Sequence, residues 1–127
     1  MNKKDKAKCI NWLKRGWKIE KELTFLKGEQ ERTLTDAEDE GDGACRQALF
    51  YTKRIAKRME ALFSVKLELF EAISALEKQE HRLLLSLRYL NCLTWEEIAD
   101  ILEVDVRHVY RLHEESLADL KMRFFEM

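Results

Sequence analysis

The segment LTWEEIADILEVDVRHVYRL, residues 93–112, contains the start signals of two helices separated by a tight turn. Thr94 is followed three residues later by Glu97, which is the capping-box pattern and predicts a helix start directly after Thr94. Asp105 is a second N-cap residue and predicts another helix from Val106. Apolar and small residues follow both caps at helical spacing: Ile98, Ala99, Leu102, then Val109, Leu112, Ser116, Leu117 and Leu120. The caps and the spacing together predict a helix-turn-helix.

The second helix of this motif carries polar residues outside its apolar stripe. They are Arg107, His108, Tyr110, Arg111 and Glu114. Such a helix enters the DNA major groove with its first turns, and Arg can donate two hydrogen bonds to a guanine base. We therefore predict DNA binding, with Arg107 and Arg111 as the first candidates. The alternative interpretation is an ordinary solvated surface of a small helical domain.

The same segment resembles region four of bacterial sigma factors, and it is closer still to ArpU-like phage regulators of late transcription. The similarity extends from about Leu83 to Leu120. It is carried by Arg88, Tyr89, the run TWEEIA at residues 94–99, Val109, Arg111, His113 and Leu117. The resemblance implies a DNA-binding transcription regulator from a phage or prophage.

By matched position, the resemblance also implies roles for single residues. Val106, Arg107, Tyr110 and Arg111 match the positions that read bases, while the helix start at Thr94 and Trp95 matches a phosphate contact. Family members usually carry glycine in both turns, where this chain has Cys92 and Glu103. A left-handed backbone at Glu103 would cost on the order of 1 kcal/mol.

The composition favours an all-α fold. The 127 residues include no proline, 37% are charged and 46% are hydrophobic, which favours long helices over a sheet. No apolar run approaches the roughly 20 residues of a membrane span, and the N-terminus lacks the apolar core of a secretion signal. We therefore expect a protein of the bacterial host cytoplasm with no membrane partner. Its three cysteines are predicted to be buried free thiols.

The charge distribution is the main argument against strong DNA binding. The chain has a net charge of −1, and residues 81–127 contain six basic and nine acidic residues. Because of this acidic excess, we expect the protein to be only weakly attracted to DNA phosphates at long range. We expect modest affinity per monomer, strengthened by dimerisation or by a partner already on DNA.

Residues 1–80 are predicted to form a helical assembly region, followed by the helix-turn-helix domain at 81–127. A first amphipathic helix spans Lys3 to Lys27, with a seam at Cys9, Trp12, Gly16, Ile19, Leu23 and Leu26. Residues 29–43 are acidic and contain two glycines, which predicts a mobile linker. A second long helix follows from Ala44 to about Lys78.

The two long helices can form an antiparallel hairpin within one chain or a coiled coil between chains. Phe50, Tyr51, Phe63 and Phe70 widen the apolar stripe of the second helix beyond what one partner helix covers. The sequence therefore favours a homodimer.

No catalytic, cofactor or metal site is predicted. The three histidines have no neighbouring nucleophile arranged with a third group, and the four glycines form no phosphate-binding loop. The cysteines lack metal-ligand spacing. His113 lies beside Leu112 and is predicted to be a half-buried packing residue.

Three functions remain open at this point. The first is a DNA-binding transcription regulator of phage or prophage origin, whose partners are double-stranded DNA and a second copy of the chain. The second is the DNA-recognition subunit of a phage packaging complex. The third is an adaptor that contacts RNA polymerase, for which the acidic balance of residues 81–127 argues.

Overall fold

The computed structural model describes residues 2–40 and 42–125, and for 36–40, 42 and 44 it describes the backbone alone. The predicted all-α class is confirmed, since 88% of the chain is helical and the described part contains no strand. The described residues form six α-helices, which are α1 (Lys3–Leu13), α2 (Arg15–Glu40), α3 (Asp42–Ser74), α4 (Gln79–Leu85), α5 (Trp95–Leu102) and α6 (Val106–Phe124). A π-helical turn, Ser86–Leu90, continues α4.

The chain divides into two compact units at positions other than the predicted boundary after residue 80. The first unit comprises Met1–Gly16 and Lys66–Met127, and the second comprises Trp17–Val65. Residues 1–16, assigned from the sequence to the N-terminal region, thus belong with the C-terminal helices. The predicted helix from Lys3 to Lys27 is also divided, because α1 ends at Leu13 and α2 begins at Arg15.

The second unit consists of antiparallel segments of α2 and α3. Ile19, Leu23 and Leu26 of α2 form a buried cluster with Ile55 of α3, as the three- and four-residue spacing predicts. Nε of Arg58 lies 3.0 Å from a carboxylate oxygen of Glu22. Further along α2, Gln30 donates a hydrogen bond to Thr52, which lies earlier in α3. The pairing of later α2 residues with earlier α3 residues defines the antiparallel direction.

Residues 29–40 are helical in α2, whereas the sequence predicted a mobile linker over 29–43. Two side-chain bonds within residues 29–33 are compatible with this helix. The Thr33 hydroxyl donates to the Glu29 carbonyl at 2.8 Å, and Arg32 pairs with Glu29 one turn earlier. Both bonds suit a continuing helix, and no proline interrupts it. Gly41, the glycine of the predicted linker that follows α2, lies outside the described residues.

The first unit is built around α6, which packs against α1, α4 and α5. Its buried side chains include Leu13 from α1, Leu69, Ile73 and Leu76 from the chain around the end of α3, Leu84 and Leu85 from α4, and Val109, Leu117 and Leu120 from α6. The contact between α1 and α6 joins residues about a hundred positions apart. Nζ of Lys121 lies 2.8 Å from Asp5, and the rings of Trp12 and Phe125 meet edge-on at 5.5 Å.

Candidate nucleic-acid interface

The start of α5 is capped as the sequence predicts. The backbone N–H of Glu97 donates to the Thr94 hydroxyl at 3.2 Å, and the backbone N–H of Thr94 donates to the Glu97 carboxylate at 3.1 Å. Helix geometry leaves the N–H groups of Trp95 and Glu96 without an acceptor inside α5. The exposed carboxylates of Glu96 and Glu97 stand in the same turn, so an approaching phosphate meets both attraction and repulsion there.

The turn between α5 and α6 is closed by backbone hydrogen bonds at the end of α5. The N–H of Val104 donates to the Ala99 carbonyl at 3.1 Å, and the N–H of Glu103 donates to the Asp100 carbonyl at 3.3 Å. This Schellman arrangement requires a left-handed residue, and Glu103 has φ 57° and ψ 45°. Asp105 then caps α6 by accepting from the N–H of Arg107 at 2.9 Å. The turn thereby sets the direction in which α6 leaves α5.

A compact apolar cluster holds α5 and α6 together. Its buried members are Leu84, Ile98, Ala99, Val109 and Leu112, with Leu102 and Val106 packed at its edge. Ala99 of α5 and Val109 of α6 both belong to this cluster. The small side chain of Ala99 suits the close approach of two crossing helices.

The first two turns of α6 contain five of the seven predicted DNA-binding residues. Arg107, Tyr110 and Arg111 are exposed, and His108 is half-buried with Nδ1 contacting the Arg111 guanidinium. Val106, another predicted reading position, is half-buried and packs against the apolar cluster. Of the predicted residues on α6, Arg107, Tyr110 and Arg111 are therefore the ones whose side chains are accessible.

The remaining two predicted residues lie at the start of α5. Thr94 is exposed and acts as the helix cap, while the Trp95 ring is half-buried. The Trp95 ring meets the ring of Tyr110 edge-on at 5.6 Å, and the Arg88 guanidinium lies over it at 4.1 Å. Trp95 thus links the beginning of α5 to the exposed face of α6.

Beneath this contact lies a buried polar pair. The Tyr89 hydroxyl lies 2.8 Å from Nε2 of His113, and the Trp95 ring meets the His113 ring at 4.6 Å. Burial lowers the pKa of His113 to about 4, so its ring is neutral at pH 7 and can accept the Tyr89 hydrogen. His113 is 6% exposed, which makes it more buried than predicted while its packing role is confirmed.

The turn that precedes α5 contains the second left-handed residue, Cys92, with φ 57°. Backbone bonds close this turn too, since the N–H of Leu93 donates to the Leu87 carbonyl at 3.1 Å. The prediction that all three cysteines are buried is wrong for two of them, because Cys45 and Cys92 are exposed. A turn at the surface presents its side chains to solvent, and Cys45 lies on the outer side of α3.

The contribution of α1 to this unit was not predicted from the sequence. Lys6 forms an ion pair with Glu114, one helical turn beyond Arg111 on α6. Residues 1–16 contain six basic residues and one acidic residue, whereas residues 66–127 have an excess of five negative charges. Packing of α1 on α6 therefore brings the first unit to neutrality. Only the clustering of lysines near the N-terminus could have indicated this in advance.

Comparisons of the chain with protein-family models, with curated proteins and with solved structures found no match. None of the helices in residues 2–40 and 42–125 combines the length and the apolar composition needed to cross a lipid bilayer. Within the same described ranges, no three His, Cys, Asp or Glu side chains are grouped so that they could hold a metal ion.

Proposed function

We propose that the protein is a sequence-specific DNA-binding transcription regulator of phage or prophage origin. One observation carries the proposal. Arg107 and Arg111 are exposed one turn apart at the beginning of a helix whose opposite side, at Val109 and Leu112, is buried against α5. This is the arrangement by which a recognition helix of a helix-turn-helix presents side chains to base edges.

The width of the DNA major groove is compatible with this role for α6. The major groove of B-DNA is about 12 Å wide and admits an α-helix with its side chains. With Tyr110 between them, Arg107 and Arg111 would reach bases while the Tyr110 hydroxyl would reach a phosphate. Each arginine bonded to guanine O6 and N7 would contribute roughly 1–3 kcal/mol of discrimination between bases.

Electrostatics also supports the proposal once α1 is included. The acidic balance of residues 81–127 argued for weak attraction to DNA, but the lysines of α1 belong to the same unit. Lys3, Lys4 and Lys8 are exposed on α1, and Lys6 neutralises Glu114 close to the proposed recognition surface. Phosphates close to this unit would therefore meet less repulsion than the C-terminal sequence alone suggests.

The resemblance to sigma region four and to ArpU-like regulators supports the same assignment. In this proposal α5 and α6 form the helix-turn-helix, the start of α5 at Thr94 lies against a phosphate, and α2 and α3 form a hairpin for assembly. The protein would act in the cytoplasm of a bacterial host, on double-stranded DNA.

The proposal is tested by selection from fragmented phage and host DNA with the purified protein at two salt concentrations. Recovery of one short motif, with weaker retention at higher salt, is the expected result. Equal retention of all fragments would leave only general phosphate binding and would contradict sequence-specific regulation. Retention of nothing by folded protein at either salt would overturn DNA binding altogether.

A second candidate function is an adaptor that contacts RNA polymerase through α5. The observation in its favour is an exposed acidic surface that contains an apolar side chain. Ile101 is 54% exposed, and Glu97 and Asp100 on the same helix are exposed as well. Such a surface suits a protein partner better than DNA. Co-purification with RNA polymerase that is abolished by Ile101→Lys would favour the adaptor.

A further inference from the structure

The outward side of α3 carries an apolar row that its own chain leaves uncovered. Leu49 is 59% exposed, Met59 52% and Phe63 70%. Ala56 and Thr52 lie between them and are also exposed, and Thr52 stands at the edge of the row nearer α2, where its hydroxyl accepts a hydrogen bond from Gln30. The five residues recur at alternating spacings of three and four, and we call this row the outer seam.

A second row with the same heptad spacing lies beside the outer seam on α3. It consists of Ala48, Ile55 and Leu62, of which Ala48 and Ile55 are buried and Leu62 is half-buried. Ile55 and Leu62 belong to the cluster formed with α2. A helix that packs against one partner needs only one apolar row, and α2 already covers the row of Ala48, Ile55 and Leu62. The outer seam therefore indicates a second helical partner for α3.

We propose that the second partner is α3 of another copy of this chain, packed antiparallel along the outer seam with a two-fold axis at Ala56. In this register Leu49 of one copy lies against Phe63 of the other, and the reverse contact follows by symmetry. The small side chain of Ala56 lies at the axis, where the two helices approach most closely. This inference does not depend on DNA binding.

Charge complementarity favours the antiparallel direction. Lys53 and Glu60 are exposed, and helical spacing puts them on the side of the outer seam that faces away from the row of Ala48, Ile55 and Leu62. Antiparallel pairing about Ala56 brings Lys53 of each copy to within one residue of the level of Glu60 of the other, about 1.5 Å along the helix axis, which allows two symmetric ion pairs. A parallel pair would place each of these residues level with the same residue of the second copy and would pair no opposite charges.

The available area also fits a second copy. The outer seam with Lys53 and Glu60 exposes roughly 600 Å² per chain, if a large side chain exposes about 200 Å² when fully accessible. Complete burial of this surface in both copies would remove at most roughly 1,200 Å² from solvent, which is at the lower limit of specific interfaces. We therefore expect a dimer that dissociates on dilution.

The test is the molar mass of the full chain, measured by sedimentation velocity over a range of concentrations. The unaltered chain should pass from monomer to dimer as its concentration rises. Phe63→Glu should weaken the dimer by about 30-fold or more, because the substitution buries two uncompensated charges per interface. Phe50→Glu is the matched control, since Phe50 is 56% exposed on α3 but lies off the outer seam. It should leave the dimer unchanged.

Charge exchange tests the register. Lys53→Glu and Glu60→Lys should each weaken the dimer by bringing like charges together, and the double variant should restore it. Circular dichroism verifies that every variant remains helical. A chain that stays monomeric at all concentrations would overturn the proposal, and so would a double variant no better than the two single variants. The Phe63→Glu monomer should keep its base preference at one DNA half-site. Failure of the dimer proposal can therefore be distinguished from failure of the proposed DNA-binding function.

Discussion

The Tyr89 hydroxyl and Nε2 of His113 lie 2.8 Å apart in the interior of the first unit, directly beneath Trp95. Burial raises the pKa of Tyr89 to about 12 and lowers the pKa of His113 to about 4. Both groups are therefore neutral at pH 7, and a neutral pair can be buried at little cost when it is hydrogen-bonded. The pair supports the contact between the start of α5 and the exposed face of α6.

This pair predicts that acid destabilises the fold. The pKa of His113 is about 4 in the folded chain against an ordinary value of 6.5, so the unfolded chain binds the extra proton between these values. The contribution of neutral His113 to the free energy of unfolding is complete above pH 6.5. It is lost as the pH falls toward 4, and the loss is at most about 3 kcal/mol. Urea unfolding at pH 7.0 and 5.0 should show a lower free energy of unfolding at the lower pH.

The double variant Tyr89→Phe with His113→Phe removes the titrating pair together and should flatten this pH dependence. If the free energy of unfolding of the double variant still falls between pH 7.0 and 5.0, other groups are responsible for the acid sensitivity.

The proposed recognition surface predicts a loss of base preference. Arg107→Ala with Arg111→Ala should reduce discrimination between the selected motif and unrelated DNA, roughly 10-fold to 100-fold for each arginine that pairs with a guanine. Helix content and molar mass should not change, since both side chains are exposed. Arg46→Ala with Lys78→Ala removes the same charge elsewhere and should retain the preference. Unaltered preference in the Arg107 and Arg111 variant would remove these residues from the site.

The left-handed turn at Glu103 predicts a stabilising substitution. Glycine adopts φ 57° without steric cost, so Glu103→Gly should raise the free energy of unfolding by about 1 kcal/mol, or the Tm by about 4 °C. Glu103→Ala removes the same carboxylate but keeps Cβ, and it should give little gain. Equal gains from both variants would mean that charge repulsion, and not the backbone, limits this turn.

The lysines of α1 predict a sequence-independent contribution to DNA affinity. Lys3→Gln, Lys4→Gln and Lys8→Gln together should weaken binding to all sequences and lower the salt dependence by about one for each phosphate that a lysine no longer neutralises. Base preference should not change. The matched control replaces three exposed lysines of α2, at Lys18, Lys21 and Lys27. An identical effect of both triple variants would show that only net charge matters, without contacts from α1.

Local structure around the candidate site was predictable because its signals act over a few residues. The capping box at Thr94, the cap at Asp105 and the buried stripe through Val109 all follow from spacing along the chain. The acidic residues 29–40 were harder, because composition indicated a linker while local hydrogen bonds and charge pairs continue α2 as a helix. The composition of a segment indicates how much apolar surface it can bury, but it does not indicate how readily the segment forms a helix.

The sequence by itself determined the all-α class, the helix starts and the side of α6 that stays exposed. Each of these depends on neighbours within one or two helical turns. Only the tertiary structure decided that α1 packs on α6, that Lys6 neutralises Glu114, and that Tyr89 and His113 form a buried pair. Those contacts join residues at least 24 positions apart along the chain. Residue spacing along the chain does not predict such contacts, because their partners meet only when the whole chain folds.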